Sequence, residues 1–163
     1  MARAYLGFGA NLGDPRAALS AALPALSRAG VEVLAQARLY STAPVGPQDQ
    51  PRYLNTVLEV ETALSPEALL AALKRIEEEL GRVPSVRWGP RAIDLDILLY
   101  DALLLDTPSL RIPHRELGRR RFVLAPLADL APAQVVPGLG QRVDALLAAL
   151  PPEEGAVEPL QDA

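Results

Sequence analysis

Apolar and polar positions change their spacing several times along this chain, and each change marks an expected element. Residues 4–9 (AYLGFG) read as a short buried strand followed by a Gly-containing turn. Asp14-Pro15 then supplies an N-cap with proline at the first helical position. From Pro15 to about Arg28, Leu19, Leu23 and Leu26 share one helical face, and Gly30 is a natural stop. Pro24 inside this span predicts a kink or an early end. Residues 31–41 (VEVLAQARLYS) read as a strand. Residues 43–52 (APVGPQDQPR) hold three prolines and a glycine, which makes them a stiff loop. Alternation resumes over 53–62 (YLNTVLEVET), a further strand. Ser65-Pro66-Glu67 caps a second helix over 66–80, with Leu69, Leu70, Leu73, Ile76 and Leu80 at helical spacing and Gly81 as its stop. Residues 82–91 (RVPSVRWGPR) form a second Pro/Gly loop, and 92–100 (AIDLDILLY) a strand with an apolar, buried end. Beyond it lie short apolar segments and turns, then a short helix within 141–150 and a final dozen residues expected to fray.

Strand, helix, strand, strand, helix, strand is the order of an α+β, ferredoxin-like αβ sandwich: an antiparallel sheet with helices packed on one face, here followed by a C-terminal extension. The 163 residues suit one domain spanning 1–163. Half of them are hydrophobic but only 4% aromatic, so the core must be mostly Leu, Val, Ile and Ala. The formal net charge of -4 argues against a general nucleic-acid binder. Without cysteine there is neither a disulfide nor a thiolate site. No secretory leader or bilayer-length apolar run is visible, so a soluble cytoplasmic protein, with no membrane partner, is expected. The element order alone does not choose a function, because it also serves RNA binding and small-ligand sensing.

Chemistry concentrates around Asp94-Leu95-Asp96. Positions i and i+2 of a strand point to the same side, so the two carboxylates can converge. Such a pair repels itself unless a cation neutralises it, and oxygen-only ligands suit Mg²⁺. A solvated polar strand face is the alternative, and spacing alone leaves both open. Arginines crowd the neighbourhood: Arg82, Arg87 and Arg91 before the pair, and Arg111, Arg115, Arg119, Arg120 and Arg121 after it. Guanidinium groups clamp phosphate oxygens bidentately. Trp88, the only tryptophan, sits in the second Pro/Gly loop, as a packing plug or part of a lid. His114, the only histidine, is either structural or a phosphate donor. Tyr53 and Asn55 share one strand face, where a flat heteroaromatic ligand could find a ring and an amide.

The run Arg87-Trp88-Gly89-Pro90-Arg91-Ala92-Ile93-Asp94-Leu95-Asp96-Ile97-Leu98 resembles the signature of the 6-hydroxymethyl-7,8-dihydropterin pyrophosphokinases. Three more blocks agree in order: Gly7 to Gly13, Tyr40 to Asn55, and Pro113 to Phe122. The resemblance covers residue 5 to about 130. It implies transfer of diphosphate from ATP to the pterin hydroxymethyl group in folate biosynthesis, with release of AMP. It further implies that Asp94 and Asp96 bind two Mg²⁺ ions. Asn55, Thr42 and the backbone around Pro44 and Val45 would form the pterin pocket, with Tyr53 and Phe122 flanking the ring and Trp88 closing over it. Arg82, Arg91, His114 and Arg120 would contact the triphosphate, with Glu77 and Ile97 near the nucleoside. The chain departs from some members at Pro84, at Arg115 after the histidine, and at Lys74 in the second helix; Lys74 and Arg115 fall at ATP-contacting positions. Arg82 and Arg91, with the two aspartates, are the expected catalytic residues, and a monomer is expected. The rivals are an RNA-binding module that uses Arg119–Arg121 and Tyr53, and a nucleotidyltransferase with another acceptor.

Overall fold

The computed structural model describes residues 1–11, 13–42, 52–81, 93–151 and 157–160, with the backbone alone at 157 and 158. The loop expected over 82–91 lies outside these residues, as does all of 43–52 except Arg52.

The central strand is β1 (Ala2–Ala10), longer than the expected 4–9. Ala4, Leu6, Phe8 and Ala10 are no more than 1% exposed and belong to one apolar cluster. Helix α1 (Pro15–Arg28) starts where Asp14 accepts from the backbone N–H of Arg16 and Ala17 at 3.1 and 3.3 Å. Pro24 lies inside it without ending it, and Gly30 follows with a φ of 87°.

The expected strand over 31–41 divides into β2 (Val31–Gln36) and β3 (Tyr40–Thr42). Both pair with the same edge of β4 (Tyr53–Thr62), and the break at 37–39 is caused by a side chain of that strand. The Thr56 hydroxyl reaches the carbonyls of both Ala37 and Arg38 at 3.1 Å, which replaces ladder bonds with side-chain bonds. Helix α2 (Pro66–Gly81) buries Leu69, Ala72, Leu73 and Ile76, and Ser65 caps it through a 3.2 Å bond from Ala68 N–H. Strand β5 (Asp94–Tyr100) completes the sheet on the free side of β1, with a register irregularity opposite Tyr5 and Leu6.

Past β5 come a small hairpin, β6 (Leu105–Asp106) with β7 (Arg111–Ile112), and then helix α3 (Arg121–Leu130). A second hairpin, β8 (Val135–Val136) with β9 (Gln141–Arg142), leads into α4 (Val143–Ala148). The chain ends on β10 (Val157–Pro159), paired antiparallel with β3. The tail therefore does not fray over 157–159: backbone pairing with the otherwise open edge of β3 satisfies it.

The main sheet runs β10-β3-β4-β1-β5, with β2 also on β4, all antiparallel. Helices α1 and α2 cover one face through Leu19, Leu26, Leu69 and Leu73. The placement of the C-terminal extension, which the element order left open, is settled by the other side. There α3 and α4 pack Val123, Leu124, Leu127, Val143 and Leu146 against Val57, Leu98 and Leu99. A sheet face bearing Val57, Leu98 and Leu99 needs an apolar cover, and the C-terminal extension supplies it.

Candidate active site

At one end of that second face the apolar packing gives way to a cavity of about 240 Å³. Its floor is β1. Leu6 and Phe8 point into the first core, so Gly7 and Gly9 turn toward the cavity and put no side chain there. The flanking strands supply the walls. Gly9 pairs with Asn55 of β4 on one side and Asp94 of β5 on the other. Gly7 pairs with Val57 and Asp96. An amide and an acidic pair therefore face one hollow across two strand spacings, about 10 Å.

Asn55 is held in one orientation. The Thr42 hydroxyl donates to its Oδ1 at 2.5 Å, and its Nδ2 donates to the Phe8 carbonyl at 3.4 Å. One hydrogen and one lone pair of the amide are left for a ligand edge. Tyr53 and Phe122 also line the cavity. Phe122 comes from the first turn of α3, so that helix forms the roof opposite β3 and β4.

Asp94 and Asp96 line the cavity from β5, while Leu95 and Ile97 between and beyond them are 3% exposed in the first core. Their burial anchors the strand and fixes which side the carboxylates take. The Asp96 side chain stays 49% exposed, with His114 Nε2 at 3.9 Å from its Oδ2. His114 is positioned by its backbone N–H, bonded to the Leu98 carbonyl at 3.0 Å. Its Nδ1 accepts from Glu116 N–H at 3.1 Å, so in the neutral ring Nε2 carries the proton and faces the acidic pair. From α2, Glu77 approaches β5 and accepts from Leu95 N–H at 2.7 Å. Burial pushes the Glu77 carboxyl up to about 7, and the charges of Asp94 and Asp96 add to the rise, against the Leu95 bond. Among the described residues no cluster of three or more metal-ligating side chains forms.

The other expected site residues are placed less centrally or lie outside the described residues. Arg82, Trp88 and Arg91, and Pro44 and Val45, fall among the undescribed residues. Lys74 is exposed on α2, and Ile97 is buried beneath that helix. Arg120 donates to Glu116 Oε2 at 3.2 Å. Arg115 and Arg119 line a neighbouring groove with Arg111, and His114 lies between groove and cavity. Arg121 reaches the carbonyls of Leu150 and Pro151 at 3.3 and 3.2 Å, tying α3 to the end of α4. With Arg120 on Glu116 and Arg121 on backbone, residues 119–121 do not make the free basic stripe that RNA binding would use.

Residues 5–132 match the sequence profile of the 7,8-dihydro-6-hydroxymethylpterin-pyrophosphokinase (HPPK) family. The chain belongs to this family. It is 49% identical over 150 residues to a 2-amino-4-hydroxy-6-hydroxymethyldihydropteridine pyrophosphokinase of Pseudomonas aeruginosa, covering 91% of this chain and 92% of that one. The enzyme of the same name from Bacillus subtilis is 44% identical over 128 residues, 78% of this chain and 77% of its own. In fold it is similar to the wild-type HPPK-DHPS of Plasmodium falciparum crystallised with pteroate, with a TM-score of 0.73 at 17% identity. That match covers 90% of this chain and 42% of the Plasmodium chain.

Within this HPPK chain, three cavity-lining positions carry no strong sequence signal as site residues. Gly7 and Gly9 look like turn glycines until β1 is seen to pair on both sides of them. Glu116 is marked only by its place two residues after the histidine whose ring nitrogen its N–H holds. No helix among the described residues is long and apolar enough to cross a membrane.

Proposed function

We propose that this chain transfers the diphosphate of ATP to the hydroxymethyl oxygen of 6-hydroxymethyl-7,8-dihydropterin, releasing AMP. Family membership supplies the reaction. The observation that carries the reading is the pair of rungs that place Asn55 and Asp94 on either side of Gly9 in one cavity. The pterin edge would be read at Asn55 and Thr42, with the backbone at Pro44 and Val45, between the rings of Tyr53 and Phe122. The hydroxymethyl arm would then point across the glycine floor toward Asp94 and Asp96.

Two half-exposed carboxylates on one strand face suit Mg²⁺, which takes few protein ligands and fills its shell with water and phosphate oxygens. Burial is the main cause of the raised Glu77 carboxyl, and the charges of Asp94 and Asp96 add a smaller part that a cation held by the pair would relieve. Asp94 and Asp96 would hold two ions, which when bound would neutralise phosphate charge and lower the barrier to displacement. The chain's own groups would do the rest. Nε2–H of His114, with Arg120, Arg115 and the undescribed Arg82 and Arg91, would hold phosphate oxygens and stabilise the spreading negative charge. Glu77, Lys74 and Ile97 would border the nucleoside, and Trp88 would exclude water. No strong general base lines the described cavity, so alignment of the hydroxymethyl oxygen with the β-phosphorus would supply most of the acceleration.

The order β5-β1-β4-β2 with α1 and α2 on one face supports a ferredoxin-like core. One sheet covered on both faces supports a single domain over residues 1–163. Within this reading the chain acts as a monomer in the cytoplasm. Incubation with ATP, the hydroxymethyl pterin and Mg²⁺ should release AMP, and EDTA should stop it. Release of pyrophosphate instead would identify a nucleotidyltransferase. Full activity in Asp96→Ala would refute the assignment of the acidic pair.

A further inference from the structure

The roof of the cavity and its far wall are joined by side chains that line neither. Tyr40, at the start of β3, is 3% exposed, and its hydroxyl donates to Asp129 Oδ2 at 2.8 Å. Arg38 donates to both carboxylate oxygens of Asp129, from Nε at 3.1 Å and from NH2 at 2.9 Å, and its backbone N–H adds a bond at 3.2 Å. The same guanidinium reaches the Tyr40 hydroxyl at 3.0 Å and lies 5.5 Å from the ring centroid. Burial and the bond to Asp129 push the Tyr40 phenol up to about 12, so it stays a donor across the neutral range.

Both ends of this cluster connect to the ring slot. Asp129 follows Phe122 by seven residues on α3, so the two share one helical face. Tyr40 precedes Thr42 by two on β3 and pairs directly with Asn55. Pro126 has no N–H, so the helical bond to the Phe122 carbonyl cannot form, and the turn carrying Phe122 has one restraint fewer from its own helix. A bridge from the last turn of α3 to β3 ties the other end of the same short helix to the wall that carries Thr42.

We propose that Asp129, with Tyr40 and Arg38, is a positioning clamp that sets the spacing between Phe122 and the Thr42–Asn55 wall, and so the affinity for the flat pterin ring. The proposal rests on the pterin reading above. The clamp residues touch no substrate. They act by holding two surfaces one ring apart, so their loss should weaken pterin binding selectively.

The test uses the full chain with Asp129→Asn, Tyr40→Phe and the double variant. Asp129→Asn should raise the pterin KM about tenfold, with ATP KM and kcat changed by about twofold at most. Amide hydrogen exchange in residues 121–130 should quicken, and the double variant should be little worse than Asp129→Asn alone. Tyr40→Phe keeps the ring packing and removes one hydroxyl, so it reads the clamp even where Asp129→Asn unfolds. An unchanged pterin KM with unchanged exchange overturns the proposal, as does an equal rise of both KM values with a fall in melting temperature. A wild-type chain that fails to turn over the pterin overturns the pyrophosphokinase reading instead, and the exchange rates then decide the clamp alone.

Discussion

Replacing Gly9 with alanine should separate ligand recognition from stability. A Cβ at Gly9 would lie 2.9 Å from Asn55 Nδ2, while Tyr53 Cδ1 would be at an ordinary 4.0 Å. Comfortable contact begins near 3.5 Å, so the amide must retreat by about half an ångström. It has no free direction: Thr42 holds Oδ1 at 2.5 Å, and Nδ2 already reaches the Phe8 carbonyl at 3.4 Å. Retreat breaks or misdirects about one neutral hydrogen bond to the bound ring, roughly 1 kcal/mol. At 1.4 kcal/mol per tenfold, pterin affinity should fall about fivefold to tenfold. Stability should hardly move. Gly9 is not among the glycines with positive φ, so alanine restricts the unfolded chain and gains roughly 0.4–1 kcal/mol against the local push. Calorimetric titration of the pterin in the presence of a non-hydrolysable ATP analogue, beside a thermal melt, reads both. Gly7→Ala is the matched control, because the nearest atoms to its Cβ would be those of the Leu98 side chain, at an ordinary 3.4 Å. Wild-type pterin affinity in Gly9→Ala would refute the floor-and-amide geometry; so would a large drop in melting temperature, since the crowding would then act on the fold.

Asp94→Asn should lose turnover by about 100-fold or more with an unchanged circular dichroism spectrum, because charge at the transferring group is left uncompensated; rapid turnover in that variant would remove Asp94 from the mechanism. Glu77 gives a pH test in metal-free buffer. Its folded pKa of about 7 lies above the ordinary carboxyl value, so its contribution is fully present below about pH 4.5 and is lost as pH rises through 7. Allowing for screening over its exposed side, about 1 kcal/mol should vanish between pH 5 and 8 in urea titrations, and Glu77→Gln should flatten that slope. Leu73→Ala, at a fully buried position between α2 and the sheet, should cost about 3 kcal/mol in the same assay.

Much of this architecture can be read from residue spacing, and the misses have physical causes. Helix α1 and strand β4 have the bounds that capping and alternation predict, because Asp14-Pro15 and the 53–62 alternation are local signals. Helix α3 was not expected: Pro126 interrupts its pattern, and the helix survives because Val123, Leu124 and Leu127 are buried against the sheet. The break between β2 and β3 depends on Thr56, a residue from another strand. The pairing of β10 with β3 is likewise nonlocal. At the site, Asp94, Asp96, Asn55, Tyr53 and His114 were legible from residue type and resemblance, and the structure brings them around one cavity. The clamp was not, since Tyr40 and Asp129 are 89 residues apart and nothing local links them.

The same two-residue period that buries the core also builds the site, and this couples register to chemistry. On β1, Leu6 and Phe8 go to one side while Gly7 and Gly9 go to the other. On β5, Leu95 and Ile97 enter the first core while Asp94 and Asp96 face the cavity. On β4, Leu58 and Val60 join the first core, whereas Asn55 and Val57 look the other way. A slip of β5 by one residue would drive both carboxylates beneath α2 and turn Leu95 and Ile97 out. Burying two unpaired carboxylates costs several kcal/mol each, more than a small domain can absorb from its net stability. The acidic pair therefore serves as a register key for β5, and a chain folded to this sheet has already aimed its carboxylates at the hollow that Gly7 and Gly9 leave open.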